Sequence, residues 1–175
     1  RMEKIFTALG MMSGTSGDGV DASVISSDGF DDYNEVINKY FKYDQKIYEN
    51  LHNLREKILK FEDLKKNEDE INHFEKKITL FHAKIVNEIL KYTDKKVDFI
   101  GFHGQTIYHN PSERISKQIG DGNLLSQLSK KIVICNFRQN DIKNGGEGAP
   151  LVPIFHRLIA KQKKIKLPAC FLNIG

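Results

Sequence analysis

The chain has 175 residues, 39% of them hydrophobic and 29% charged, and its 27 Lys and Arg against 23 Asp and Glu give a formal charge of +4. That length holds one sizeable core, or one domain with a piece of a second, and excludes three domains. No apolar run approaches the roughly 20 residues of a membrane helix, and no apolar stretch comes after Arg1-Met2-Glu3-Lys4 as a secretory signal would require, so the expectation is a cytoplasmic protein without a membrane partner. Lys and Arg are interleaved with Glu and Asp rather than gathered in a basic block, which argues against a nucleic-acid partner. Arg1, ahead of Met2, reads as foreign to the natural start and is set aside.

In chain order, Ile5 to Met12 is mostly apolar and runs into the Gly-rich text Ser13-Gly14-Thr15-Ser16-Gly17-Asp18-Gly19, with a second β-type run from Val20 to Ser26 after it. This predicts strand, tight turn, strand. Glu35 to Tyr43 reads as a third strand. From Asp44 to Tyr92, apolar residues at Ile47, Leu51, Leu54, Ile58, Ile71, Phe74, Ile78, Phe81, Ile85 and Ile89 recur at helical spacing amid Lys and Glu. A shorter and a long amphipathic helix are expected, with a break near Phe61 to Asn67.

Val97 to Phe102 then predicts a short buried strand ending at His103-Gly104-Gln105-Thr106. Next come a turn at Asn110-Pro111, a short run from Lys117 to Gly120, a helix from about Asn123 to Ser129 and an apolar strand from Lys131 to Phe137. Pro150 introduces a helix over Leu151 to Ala160, with Pro153 in its first turn. The last run, Ala169 to Gly175, reads as a strand cut off at its end. Cys135 and Cys170 both fall in apolar runs and read as reduced core thiols.

The order β-β-β-α-β-α-β-α describes an α/β fold: a mixed five-stranded sheet flanked by helices, the ribonuclease-H-like half-unit of actin-like ATPases. Residues 1–167 would form that domain, and residues 168–175 the first strand of a truncated second one.

Four clusters carry chemistry. The segment Gly14 to Gly19 is neither a P-loop nor a dinucleotide fingerprint, because Gly-Lys-Ser/Thr is missing and no helix comes after it. It is either a plain hairpin turn or a loop whose backbone N–H groups, with Thr15 and Ser16 hydroxyls, approach phosphate oxygens; Asp18 would then hold a magnesium-bound water. His103, Gln105 and Thr106 stand at a strand's carboxyl end, where open α/β sheets bind ligands. Asp121 comes directly after Gln118-Ile119-Gly120. Arg138 is placed either to clamp a ligand or to pair with Asp141, and the glycines from Gly145 to Gly148 either present N–H groups to an anion or form a mere loop. His109 reads as a loop residue and His156 as structural.

Met12 to Ala22, Phe102-His103-Gly104-Gln105-Thr106, Gln118 to Gly122 and Gly145 to Pro153, in that order, closely resemble the anhydro-N-acetylmuramic acid kinases. The resemblance covers both ends of the chain and most of the sequence beyond Val97. It implies an ATP-dependent carbohydrate kinase converting 1,6-anhydro-N-acetylmuramic acid and water to N-acetylmuramic acid 6-phosphate, in peptidoglycan recycling and amino-sugar metabolism. It implies that Gly14, Thr15, Ser16, Gly17, Asp18, Gly19, Val20 and Asp21 bind ATP, with Mg²⁺ as the ion. Sugar contacts are expected from His103, Gln105, Asp121, Arg138 and Asp141, and a homodimer from the habit of the family. Gly17 departs from the family, which usually has a larger apolar residue there, as does Glu147 from its usual Gln. The family's catalytic Asp, in a later Asp-Thr-Gly-Pro-Gly-Asn segment, has no counterpart here, so this chain is expected to be an N-terminal fragment without a catalytic residue of its own. The alternatives are an actin-like kinase with another acceptor and a non-catalytic nucleotide-binding or assembly domain.

Overall fold

The structure is a computed structural model and describes residues 4–172. Three strands open it, β1 (Phe6–Ser13), β2 (Gly19–Ser27) and β3 (Tyr33–Lys42), each antiparallel to the next. β1 and β2 alternate buried and exposed side chains: Leu9, Met11, Val20, Ala22 and Val24 all face one side and are nearly inaccessible. That side is covered by helices α1 (Gln45–Lys57) and α3 (Glu68–Ile89), whose inward stripes are Ile47, Leu51 and Leu54, then Ile71, Phe74, Ile78, Ile85, Val86 and Ile89. Asp44 starts α1 by accepting the Ile47 N–H at 2.8 Å, an N-cap that ends the strand and aims the helix back over the sheet.

The expected break between the helices contains a six-residue helix of its own, α2 (Phe61–Lys66). Neither Pro nor Gly makes that break. Asn67 closes α2 and opens α3 with non-helical backbone angles, and its side chain donates to the Asp63 carbonyl at 2.8 Å.

The strand expected to end at His103 runs on to Asn110. This β4 (Phe99–Asn110) lies parallel to β1 and carries a bulge, because Met11 pairs Phe102 whereas Ser13 pairs Gln105. Three residues advance on β4 while two advance on β1. Gly104 absorbs the difference with φ +74°, and a Cβ on it would lie 2.5 Å from the Ile119 carbonyl oxygen. Before the bulge Ile100 and Phe102 face the helices; after it Gln105 and Ile107 do.

The outer edge of β4 is shared. Its first half pairs in parallel with β6 (Ile132–Ile134), and its second half antiparallel with β5 (Ile115–Ile119), which makes the mixed sheet six-stranded rather than five. Helix α4 (Gly122–Ser129) sits between β5 and β6 and buries Leu125 against α3. The apolar run Lys131 to Phe137 yields only three strand residues, with Ile132 and Ile134 exposed, since an edge strand covered on one side has little to bury.

Among the described residues the short α5 (Gln139–Lys143) and then α6 (Pro153–Gln162) are the last helices. Phe155 and Ile159 of α6 line a cavity of about 500 Å³ over the sheet face opposite α1 and α3, beside Gly10, Ile25, Phe99 and Gly101. Ala169 to Leu172 form no strand and are exposed, because no neighbouring strand offers them N–H and C=O partners; the remaining three residues of that expected strand, like Arg1, lie outside the described residues. Both cysteines are free thiols, but neither is a core residue: Cys135 is half-buried beyond β6, and Cys170 is exposed.

Candidate functional site

The Gly-rich text joining β1 to β2 folds into a β-turn, in which the Gly17 N–H donates to the Gly14 carbonyl at 3.2 Å. Thr15 and Ser16 occupy its tip and are exposed, while Gly17, at φ +64°, is buried. At the other end of the loop the Asp18 carbonyl accepts the Tyr43 N–H at 2.8 Å, which anchors it to the end of β3.

Beneath the turn lies a buried polar knot. Ser13 Oγ donates to Gln105 Oε1, lies 2.8 Å from the Gly19 carbonyl and 2.9 Å from Tyr43 Oη, and Gln105 Nε2 donates to the Gly14 carbonyl at 3.1 Å. Gln105 has no exposed surface, so its amide holds the turn from below and meets nothing in solvent. Burial pushes the Tyr43 hydroxyl up to about 12, which keeps it a neutral hydrogen-bonding group at any physiological pH. From the side, Arg55 of α1 reaches the Thr15 and Thr106 carbonyls.

Asp18 is exposed, and its carboxylate accepts from Ser16 Oγ at 2.5 Å. The Ser16 hydrogen bond, backed by Tyr40 and Lys42, holds its carboxyl below the usual range and so anionic. Among the described residues no three His, Cys, Asp or Glu side chains converge as a metal cage. Mg²⁺ keeps several waters and takes only one or two carboxylates, a requirement that the single ionised carboxylate of Asp18 fits. Val20 is fully buried in the core, and Asp21 is exposed on β2. Of the segment from Gly14 to Asp21, Thr15, Ser16, Asp18 and Asp21 are thus exposed, and Gly17, Gly19 and Val20 are buried.

The residues expected to touch sugar fall into two groups. Around the bulge, His103 Nδ1 lies 2.8 Å from the Gly104 carbonyl, and Arg138 Nε donates to His103 Nε2 at 3.1 Å. Burial and the Arg138 charge depress the imidazole's pKa, consistent with a neutral ring whose Nε2 is the acceptor. Arg138 Nη1 donates to the Gly148 carbonyl at 2.7 Å, and the Asp141 carboxylate accepts the Gly148 N–H at 2.7 Å. Arg138 and Asp141 thus grip opposite sides of residue 148 instead of pairing with each other. The glycine segment folds back on α5 in the process: the Gly146 N–H goes to the Asp141 carbonyl at 2.9 Å, so these donors are engaged within the protein and not turned toward an anion.

Asp121 stands apart from this cluster. One of its carboxylate oxygens caps α4 through the Leu124 N–H at 2.9 Å, and its own N–H donates to Thr79 of α3 at 2.9 Å. His109 is a strand residue of β4 bonded to Ser116 at 3.0 Å, and His156 stacks on Phe171 with ring centroids 4.6 Å apart. A groove between α2 and α3, lined by Phe61, Leu64 and Ile71, lies away from all these groups and carries no comparable hydrogen-bonded cluster.

The family model described as anhydro-N-acetylmuramic acid kinase matches residues 6–175. The chain belongs to that family. It is 63% identical over 174 residues to the anhydro-N-acetylmuramic acid kinase of Pelagibacter ubique, covering 99% of this chain and 46% of that protein. It is 36% identical over 186 residues to the enzyme of that name from Agrobacterium fabrum and 38% over 181 to that from Methylobacterium nodulans, in each case over 48% of the relative. The chain therefore spans about half the length of the curated relatives it matches. Its mixed sheet with helices on both faces is consistent with an actin-like half-domain of such a kinase, with the Gly-rich hairpin at the carboxyl end of β1.

The sequence singles out the hairpin glycines, His103, Gln105, Arg138 and Asp141; the structure places Gln105 beneath the hairpin and gathers His103, Arg138 and Asp141 around Gly148. The sequence does not single out Tyr43 and Arg55. Tyr43 reads as the last apolar residue of a strand, and nothing in its spacing marks a hydroxyl aimed at Ser13. Arg55 is one cation among the many of the helical middle, and only its position one residue beyond the buried Leu54 sets it near the core.

Proposed function

We propose that this chain is the nucleotide-binding half of an ATP-dependent kinase that converts 1,6-anhydro-N-acetylmuramic acid and water to N-acetylmuramic acid 6-phosphate, a cytoplasmic step of peptidoglycan recycling. The observation that carries the reading is the Gly14–Gly17 turn, held rigidly from beneath by Ser13 and Gln105 in a chain of this family. An exposed tip that presents the Thr15 hydroxyl on a fixed base, with Ser16 steadying the Asp18 carboxylate beside it, suits a phosphate chain and its counter-ion, because groups already in place need little reorganisation when charge moves during transfer.

In this reading residues 1–167 form the first actin-like domain, and residues 168–175 lead into a second that supplies the water-activating Asp. Water attacks the anomeric carbon, its proton passes to that carboxylate, and the bond from the anomeric carbon to the 6-oxygen breaks. The freed 6-oxygen attacks the γ-phosphorus, the bond to the bridging oxygen breaks, and ADP leaves. The chain's own part is to bind and orient. Thr15 would hold a phosphate oxygen, and Asp18, steadied by Ser16, would hold a magnesium-bound water, the ion supplying neutralisation of charge on the transferred group. The neutral His103, fixed by Arg138, and Gly148, fixed by Arg138 and Asp141, border the acceptor side.

The test is product analysis by mass spectrometry with the full-length protein, ATP, Mg²⁺ and the anhydro sugar in ¹⁸O-labelled water. A 6-phosphate carrying one ¹⁸O at the anomeric carbon is the expected product. ATP binding without any such product would leave a nucleotide-binding protein with another acceptor, or one without catalysis.

A further inference from the structure

Arg55 has more hydrogen bonds to distant backbone than any other side chain around the loop, yet it stands in the Lys- and Glu-rich middle of the chain. Its Nη1 donates to the Thr15 carbonyl at 2.7 Å, and its Nε and Nη2 donate to the Thr106 carbonyl at 3.2 and 2.8 Å. One partner belongs to the tip of the turn. The other belongs to β4, next to Gln105. A single planar fork on α1 therefore ties the loop to the strand that supports it, across 40 and 51 residues of sequence.

The fork also fits against Gly17. A Cβ on that residue would lie 2.6 Å from Leu51 Cδ2 and 2.9 Å from Arg55 Nη1, so the guanidinium occupies the place where a side chain would stand. Where the family usually has a larger apolar residue, this chain has a glycine and a cation folded over it.

We propose that Arg55 is a positioning residue of the phosphate-binding turn, acting through the Thr15 and Thr106 carbonyls and not through contact with the nucleotide. This rests on the reading of the turn as the ATP site. Two carbonyls in the same fork fix the height of the turn above β4 and keep its tip from swinging toward solvent; a Lys ammonium, one point on a flexible stem, cannot span both.

The experiment uses the full-length protein and compares wild type, Arg55→Lys, Arg55→Ala and Gly17→Ala for ATP affinity by calorimetry, for KM and kcat, and for melting temperature. The expected result is an ATP Kd and KM raised about tenfold in Arg55→Lys and Arg55→Ala alike, with kcat within a factor of two or three. Gly17→Ala, which displaces the fork, gives a similar rise, and Arg55→Ala adds little to it. If Arg55→Lys binds ATP as wild type does, the charge alone matters and the proposal fails. It fails equally if all variants lose melting temperature while KM stays put, which is a packing role. Wild-type protein that binds no ATP at all would instead overturn the reading of the turn as a nucleotide site.

Discussion

Ser13 and Gln105 lie 92 residues apart, on parallel neighbours β1 and β4, and their side chains meet in a hydrogen bond sealed from solvent directly under the Gly14–Gly17 turn. Gln105→Leu keeps the volume but takes the amide donor from the Gly14 carbonyl and turns Ser13 Oγ over to the Gly19 carbonyl and Tyr43 Oη. Stability is expected to fall by about 1–3 kcal/mol, the usual cost of orphaned buried polar groups, and KM for ATP to rise along with it. Urea denaturation and steady-state kinetics on the same preparation measure both.

Asp18 separates from stability altogether. It is exposed, so Asp18→Asn should leave the melting temperature within a degree or two. If it holds a magnesium-bound water, the loss of its charge lowers kcat/KM by about a hundredfold, and excess Mg²⁺ does not restore the rate. A variant of unchanged activity would remove Asp18 from the site.

Asp141 secures the glycine loop by a single side-chain bond to the Gly148 N–H. Asp141→Ala frees that N–H, and local opening should become about fivefold more frequent, corresponding to roughly 1 kcal/mol. Lys143 lies inside the loosened segment, so limited trypsin digestion should cut there faster by the same factor. Asp141→Asn, whose amide oxygen still accepts, should be cut at nearly the wild-type rate.

His82 sets an acid limit. It is fully buried on α3 between Phe81 and Phe102, its Nδ1 bonded to the Ile78 carbonyl at 2.8 Å while Nε2 has no partner, and burial pushes its pKa down to about 4. The unfolded chain, with an ordinary histidine near 6.5, binds a proton at pH values where the folded protein does not. Stability contributed by the neutral ring is therefore whole above pH 6.5 and is lost as the pH falls from 6.5 to about 4, up to about 3 kcal/mol in all. His103, depressed in the same direction, adds to the trend. Denaturation midpoints should decline through that window, and His82→Leu should flatten the decline.

The strands and long helices were legible because their apolar residues form a pattern: a nearly continuous run in β1, every second position in β2, and every third or fourth in α3. What escaped was decided by contacts between distant segments. His103-Gly104 looks like a strand end because a glycine usually interrupts one; here it is a bulge whose reason is the Ile119 carbonyl opposite. Ile115 to Ile119 offers five residues with two buried side chains, too little pattern to announce β5. Asp121 looks like a ligand-side carboxylate, and only the start of α4 reveals that one oxygen is engaged as a cap. Ile132 and Ile134 look like core by composition, and pairing at the outer edge of β4 leaves them exposed.

The bulge at Gly104 also makes β4 a counting device. At Ile100 and Phe102 the even-numbered side chains enter the helix-covered core, and at Gln105 and Ile107 the odd-numbered ones do. Adding one residue between Gly104 and Gln105 would send the Gln105 amide to the opposite side of the sheet and turn Thr106 inward in place of Ile107, undoing the loop's support and part of the core at once, whereas removing one would erase the bulge and keep Gln105 inward. Side chains on this strand can therefore be exchanged one at a time, but an added residue reverses every one beyond it.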